Sequence, residues 1–250
     1  MLNVIRKIIA TGTVTEDWNA AAPPLRSRGE VVVTETQCQD CQKCSEICPT
    51  NAVKVNKGTV TIEQNACVFC GRCVEQCSAG CLKQTSNYQL ATLGGRLADD
   101  AGTALKRKIR SVLGRSIHVR HVDVGSCNAC DFEMGHLSNP IYDIQQYGVD
   151  FVASPRHADL LMVTGVVTRN SIQSLKMTFE ATPFPKLVMA VGSCACSGQI
   201  FGESYAIHGP VDSLVPVDIY VPGCPPRPQA IIYGIMMALD HPRLRRTAAL

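Results

Sequence analysis

Cys38-Gln39-Asp40-Cys41-Gln42-Lys43-Cys44-Ser45-Glu46-Ile47-Cys48-Pro49 is followed, at an offset of 29 residues, by Cys67-Val68-Phe69-Cys70-Gly71-Arg72-Cys73-Val74-Glu75-Gln76-Cys77-Ser78. Each run spaces its thiols as Cys-x2-Cys-x2-Cys-x3-Cys. Three such cysteines wrap corners of one cubane [4Fe–4S] cluster, and the fourth reaches the neighbouring cluster. The spacing therefore predicts a crossed pair. Cys38, Cys41, Cys44 and Cys77 are expected around cluster 1, and Cys48, Cys67, Cys70 and Cys73 around cluster 2. Zinc fits two runs of four poorly, because its structural sites take single sets of four ligands built from close pairs. Cys81 is surplus to both sets and reads as a buried free thiol. Between the runs, Val53-Lys54-Val55 and Thr59-Val60-Thr61-Ile62 alternate across Asn56-Lys57-Gly58, which is a hairpin signal.

Working outward, composition narrows the class. The 250 residues include 24 Lys and Arg against 21 Asp and Glu, a formal charge of +3, without the basic excess of a nucleic-acid-binding surface. No nucleic-acid partner is expected. No apolar run reaches the roughly 18–20 residues of a membrane span. Met1–Ala10 contains Arg6 and Lys7 and lacks the sustained apolar stretch of an export signal. The expected compartment is the cytoplasm, where 14 cysteines read as metal ligands rather than disulfides. Residues 1–30 read as a docking arm, 31–86 as the two-cluster domain and 87–116 as a partly helical linker carrying Lys106-Arg107-Lys108-Ile109-Arg110. Residues 117–242 read as a second domain and 243–250 as a tail.

In that second domain, His118–Val124, Asp159–Thr164, Lys186–Val191 and Val217–Val221 are expected strands, with Ser171–Ala181 and Gln229–Asp240 as crossover helices. Leu160-Leu161-Met162-Val163 and Leu187-Val188-Met189-Ala190-Val191 are apolar throughout, as suits strands buried on both faces of a parallel sheet. The expected architecture is an α+β ferredoxin-like two-cluster domain followed by an α/β flavodoxin-like domain with a mainly parallel sheet. Cys127 and Cys130, Cys194 and Cys196, and Cys224 each follow a predicted strand. The carboxyl ends of parallel strands converge on one crevice, so thiols distant in sequence meet there. They suggest a third [4Fe–4S] cluster on Cys127, Cys130, Cys224 and one of Cys194 or Cys196, with an all-thiolate zinc site as the competing reading. Gly125, Gly192 and Gly223 beside these cysteines would let the backbone turn sharply close to the site.

Residues 30–84 resemble the bacterial-type two-cluster ferredoxins, with Ser78 in place of the proline that usually follows the last cysteine. Gly125-Ser126-Cys127-Asn128-Ala129-Cys130, Pro155-Arg156-His157-Ala158-Asp159, Thr164-Gly165-Val166-Val167-Thr168, Gly192-Ser193-Cys194-Ala195 and Pro222-Gly223-Cys224-Pro225-Pro226 carry a second likeness. They resemble the small subunit of membrane-bound, energy-converting [NiFe] hydrogenases of the formate hydrogenlyase type. That family is the counterpart of the cluster-bearing subunit next to the quinone site of complex I. The resemblance implies a proximal cluster on Cys127, Cys130, Cys194 and Cys224, with Cys194 chosen because it stands in the Gly-x-Cys-Ala motif.

It also implies three [4Fe–4S] clusters in all and a partner large subunit holding the [NiFe] site. Membrane subunits of the same complex and a ferredoxin or formate dehydrogenase-type donor are the other implied partners. The chain would then conduct electrons without carrying the catalytic metal, lying peripherally on the cytoplasmic side of the inner membrane. The alternative is the same relay in a nickel-free, complex I-like quinone or cation-coupled oxidoreductase. Complex I relatives usually have two adjacent cysteines where Cys127-x2-Cys130 stands, which favours the hydrogenase reading. Glu133 is a candidate proton relay, the competing reading being a helix-start carboxylate. Arg156 and Asp159 are expected to fix their turn by an ion pair.

Overall fold

The computed structural model describes residues 2–18, 23–34, 38, 42–94 and 116–239. Cys41, the basic stretch at 106–110 and the expected tail at 243–250 lie outside the described residues.

Helix α1 (Leu2–Thr11) buries none of its residues. Leu2, Ile5, Ile8 and Ile9 fall on one side of its wheel, with Lys7 opposite and Arg6 at the border beside Leu2. The arm then anchors on its own chain at Trp18, which is only 1% exposed. The Trp18 ring lies 6.2 Å from that of Tyr233, and its carbonyl accepts from Tyr88 Oη at 2.7 Å.

The ferredoxin-like part comprises β1 (Val31–Val33), α2 (Lys43–Glu46), β2 (Val53–Asn56), β3 (Thr59–Ile62), α3 (Arg72–Glu75) and β4 (Leu82–Gln84). β1 pairs antiparallel with β4, and β2 with β3. The hairpin turns at Lys57 and Gly58, both at positive φ, as a tight twisted turn requires. The sequence repeat is also a repeat of backbone. The short helices follow left-handed Gln42 and Gly71, and each half closes at another positive φ, Asn51 and Gly80. The core of this part is small, and Cys44, Cys67, Cys73 and Cys81 pack in it beside Val31, Val53, Val60, Phe69 and Leu82.

The second part comprises β5 (Thr92–Leu93), β6 (Ile117–Asp123), α4 (Ala129–His136), β7 (Val149–Phe151), β8 (Leu160–Thr164), β9 (Val167–Thr168) and α5 (Ile172–Ala181), then β10 (Leu187–Val191), α6 (Ser193–Ser197), β11 (Ile207–Gly209), β12 (Ile219–Val221) and α7 (Pro228–Ala238). Six strands form one sheet in the order β5-β12-β10-β8-β6-β7. All its pairs are parallel except β12–β5. β9 and β11 form a separate antiparallel pair.

The apolar runs of β8 and β10 bury every residue because both faces are covered. Leu160, Met162, Leu187, Met189 and Val191 face a core with Ile231, Ile232 and Ile235 of α7. Leu161, Val163, Val188 and Ala190 face the opposite core with Leu175 of α5 and Ala195 of α6. Two strands of the six-stranded sheet lie beyond what the sequence predicts. β7 has three residues with one buried, and β5, inside the stretch expected to be linker, has two. Strands this short carry no periodicity, and their backbone pairing with β6 and β12 holds them.

Candidate metal centres

At the carboxyl edge of the sheet, the chain leaves β6, β10 and β12 through loops that each deliver cysteine. Cys127 lies in the loop after β6, Cys130 on α4, Cys194 in the first turn of α6 and Cys224 just after β12. The four thiols act on one another. Burial pushes Cys130 up, followed by the fields of Cys194, Cys224 and Cys127. Burial, then Cys224 and Cys127, push Cys194 up to about 11. Cys224 is raised by burial and by Cys127. Cys196 points elsewhere, into the apolar core on the α5 side of the sheet, with its Sγ 3.5 Å from the carbonyl of Ala190. At Gly192 the backbone has φ +91° and ψ 151°, and a Cβ there would lie 2.5 Å from Cys130 Sγ. Only glycine lets the strand end pass that close to the sulfur.

Polar residues that sequence reading did not single out hold the loop after β6. Asp123 Oδ1 accepts the N–H groups of Gly125 and Ser126 at 2.9 and 2.8 Å. Burial pushes its carboxyl up, but these hydrogen bonds win and leave it below the usual carboxylate range. Asp131, in the first turn of α4, accepts from Thr164 Oγ1 at 2.7 Å and from Ser126 Oγ, with His121 Nε2 2.9 Å away. A serine, threonine and histidine from three segments give no signal until the fold joins them. Glu133 is half-buried on α4 beyond its first turn, which holds Asp131 instead, so the helix-start reading passes to Asp131. Asp159 turns to His118, accepting its backbone N–H at 2.8 Å and facing Nδ1 at 3.2 Å, rather than to Arg156 as expected. His118 sits on the adjoining strand β6, whereas Arg156 is exposed.

In the ferredoxin-like part the thiols fall into two groups across the repeat. Burial raises Cys44, which also feels Cys38 and Cys77. Cys67 and Cys73 are both pushed up to about 11, first by burial, and both feel Cys48 and Cys70. Backbone amides reach the sulfurs, Ala52 N–H to Cys48 Sγ at 3.3 Å and Phe69 N–H to Cys67 Sγ at 3.4 Å. Cys81 is buried with its Sγ 3.1 Å from that of Cys77. None of the described cysteines forms a disulfide.

The two parts meet between these groups. Ser193 Oγ, fully buried, donates to the carbonyl of Cys67 at 2.7 Å. A cavity of about 410 Å³ lies alongside, lined by Arg28, Val68, Phe69, Cys70, Cys224 and Pro225.

Tetrahedral thiolates on one zinc ion sit about 3.8 Å apart, since each Zn–S bond is near 2.3 Å. Among the described residues no three His, Cys, Asp or Glu donors converge on a single ion. Thiols grouped within one another's field but held apart fit a multi-iron cluster, whose irons and sulfides fill the space between. Fold and donor set together define an iron–sulfur electron-transfer protein.

Two family models match: a 4Fe-4S dicluster domain over residues 30–78, and the NADH ubiquinone oxidoreductase 20 Kd subunit over residues 127–238. A probable membrane-bound hydrogenase subunit of Pyrococcus furiosus is 50% identical over 128 residues, 51% of this chain and 77% of that one. Formate hydrogenlyase subunit 7 of Escherichia coli is 40% identical over 141 residues, 56% of this chain and 55% of that one. An NADH-quinone oxidoreductase subunit of Geotalea daltonii is 44% identical over 111 residues, 44% of this chain and 65% of that one. The chain belongs to the family that joins these membrane-bound hydrogenase subunits to the 20 Kd subunit of NADH ubiquinone oxidoreductase. Its ferredoxin-like part binds [4Fe–4S] clusters, and the protein is an iron–sulfur electron-transfer subunit of an oxidoreductase complex.

Proposed function

We propose that this chain holds three [4Fe–4S] clusters and relays electrons between a low-potential donor and a [NiFe] site on a partner large subunit, for proton reduction or dihydrogen oxidation. The donor is a ferredoxin or a formate dehydrogenase-type module. Membrane subunits of the complex hold the chain peripherally on the cytoplasmic side of the inner membrane; no helix among the described residues is long and apolar enough to cross one. Cys38, Cys41, Cys44 and Cys77 hold cluster 1, Cys48, Cys67, Cys70 and Cys73 hold cluster 2, and Cys127, Cys130, Cys194 and Cys224 hold the proximal cluster. The observation that carries this reading is the meeting of four thiols from three chain segments at the carboxyl edge of the sheet. The second domain is flavodoxin-like. Its five parallel strands, numbered in chain order, run 2-1-3-4-5, and the thiols gather at the end of the sheet where such folds bind cofactors.

Each cluster, when bound, takes up and passes on one electron at a potential set by its surroundings. This chain's residues supply those surroundings. The amides of Ala52 and Phe69 donate to ligand sulfurs, and the apolar cores bury Cys44, Cys67, Cys73 and Cys130. With thiols raised as Cys67, Cys73 and Cys194 are, cluster binding releases their protons. Glu133 would relay protons at the partner interface, a role supported by its half-buried position on the helix that carries Cys130. The arm, two-cluster domain, linker, proximal-cluster domain and tail follow the same division of labour. The second reading, a nickel-free quinone or cation-coupled relay, is favoured by the 44% identity to the quinone oxidoreductase relative.

The deciding measurement is nickel and iron per mole of this chain in the intact complex, purified anaerobically from its host. The hydrogenase reading expects one nickel and roughly 12 iron atoms from three cubanes, plus the active-site iron. About 12 iron atoms without nickel would promote the complex I-like relay, and about 8 iron atoms with zinc would move the dispersed thiols to a zinc site.

A further inference from the structure

Resting on the three-cluster reading, we infer that the hydroxyl of Ser193 is the hydrogen-bonded bridge through which cluster 2 and the proximal site are electronically joined. Ser193 is completely buried and precedes the proximal ligand Cys194. Its Oγ donates to the carbonyl of Cys67, a cluster 2 ligand, at 2.7 Å. The same Oγ accepts the N–H of Gly223, the residue before Cys224, at 3.1 Å, while the Ser193 N–H donates to the Gly223 carbonyl at 2.8 Å. One hydroxyl thus touches the peptide chain of a ligand on one side of the domain boundary and the chains of two ligands on the other.

The hydrogen bond from Ser193 makes a continuous covalent-plus-hydrogen-bond route from Cys67 to Cys194, beside the cavity that Cys70 and Cys224 both line. A short hydrogen bond in a dry interior is also rigid, which holds the separation of the two sites constant. The step is a single electron leaving the cluster 2 site and arriving at the proximal site. No atom or proton moves, and the hydroxyl keeps its hydrogen throughout. Ser193 is a positioning residue in this sense, since it touches ligand backbones and not the reacting atoms.

The test compares the intact complex carrying wild-type chain, Ser193→Ala or Ser193→Thr. It reads iron per chain, the paramagnetic resonance signal of each reduced cluster, and the rate at which an electron injected by a light pulse passes from cluster 2 to the proximal site. Ser193→Ala is expected to keep its iron and its individual signals while that rate falls several-fold. Ser193→Thr, which retains the hydroxyl, is expected to run at the wild-type rate. An unchanged rate in Ser193→Ala overturns the inference. So does loss of proximal iron in that variant, because the hydroxyl would then be holding a cluster rather than joining two. A threonine variant as slow as the alanine variant overturns it as well. The three-cluster reading fails separately, through an iron count of two clusters in the wild-type chain.

Discussion

Gly192→Ala probes a close approach of backbone to sulfur in the molecule's second part. Two costs follow from the geometry. At φ +91° and ψ 151° the residue lies where essentially only glycine is found, a strain of about 1–3 kcal/mol for alanine. The added Cβ also meets Cys130 Sγ at 2.5 Å, and forcing a methyl into a packed site costs about 1–3 kcal/mol more. Neither neighbour can yield easily, because Cys130 is buried on α4 and Gly192 N–H is tied to the Val221 carbonyl at 2.8 Å. The expected total is about 2–6 kcal/mol, or a melting temperature lower by roughly 5–20 °C in a chain of this size. Proximal-site iron should be lost with it, since Cys130 is the atom displaced. Gly202→Ala is the control, with positive φ of +62° but nothing within 4 Å, and should cost only about 1 kcal/mol. Calorimetry and iron analysis on both variants decide the matter. Full iron and an unchanged melting temperature in Gly192→Ala would show that the close contact does not constrain the site.

Anaerobic removal of iron by a chelator should expose the amides of residues 42–84 to hydrogen exchange well before those of β8 and β10, because cysteines supply much of the smaller core; equal protection in both regions would contradict this. Cys81→Ala should retain every iron atom at a cost of about 1 kcal/mol, since alanine already stands at the repeat-equivalent position 52, and loss of four irons would make Cys81 a ligand. Asp123→Ala should destabilise the loop after β6 by about 1–3 kcal/mol at neutral pH by orphaning two N–H groups. Because the folded carboxyl titrates below its ordinary value, its contribution is complete above about pH 3.9 and disappears as pH falls through the lower folded value. The stability gap between wild type and variant should therefore narrow in acid, and a gap independent of pH would refute the assignment.

Much of the fold is legible where information is local. The 29-residue repeat, the turn at Lys57-Gly58 and the apolar runs of β8 and β10 each depend on residues close in the chain, and helices α5 and α7 begin within a residue of where periodicity and Pro228 place them. β5 and β7 are not legible, because two or three residues hold their place only by pairing with strands far away in sequence. The same distinction runs through the sites. The sequence by itself determined a thiol-rich, duplicated ferredoxin-like unit joined to a parallel α/β unit, because ligand spacing and hydrophobic periodicity are short-range properties. Tertiary structure alone decided that His121, Asp131 and Thr164 form one network and that Ser193 touches Cys67. Those contacts join atoms up to 126 positions apart, and only the pairing of strands within the sheet and the packing of that sheet against the small domain bring such atoms within hydrogen-bonding distance.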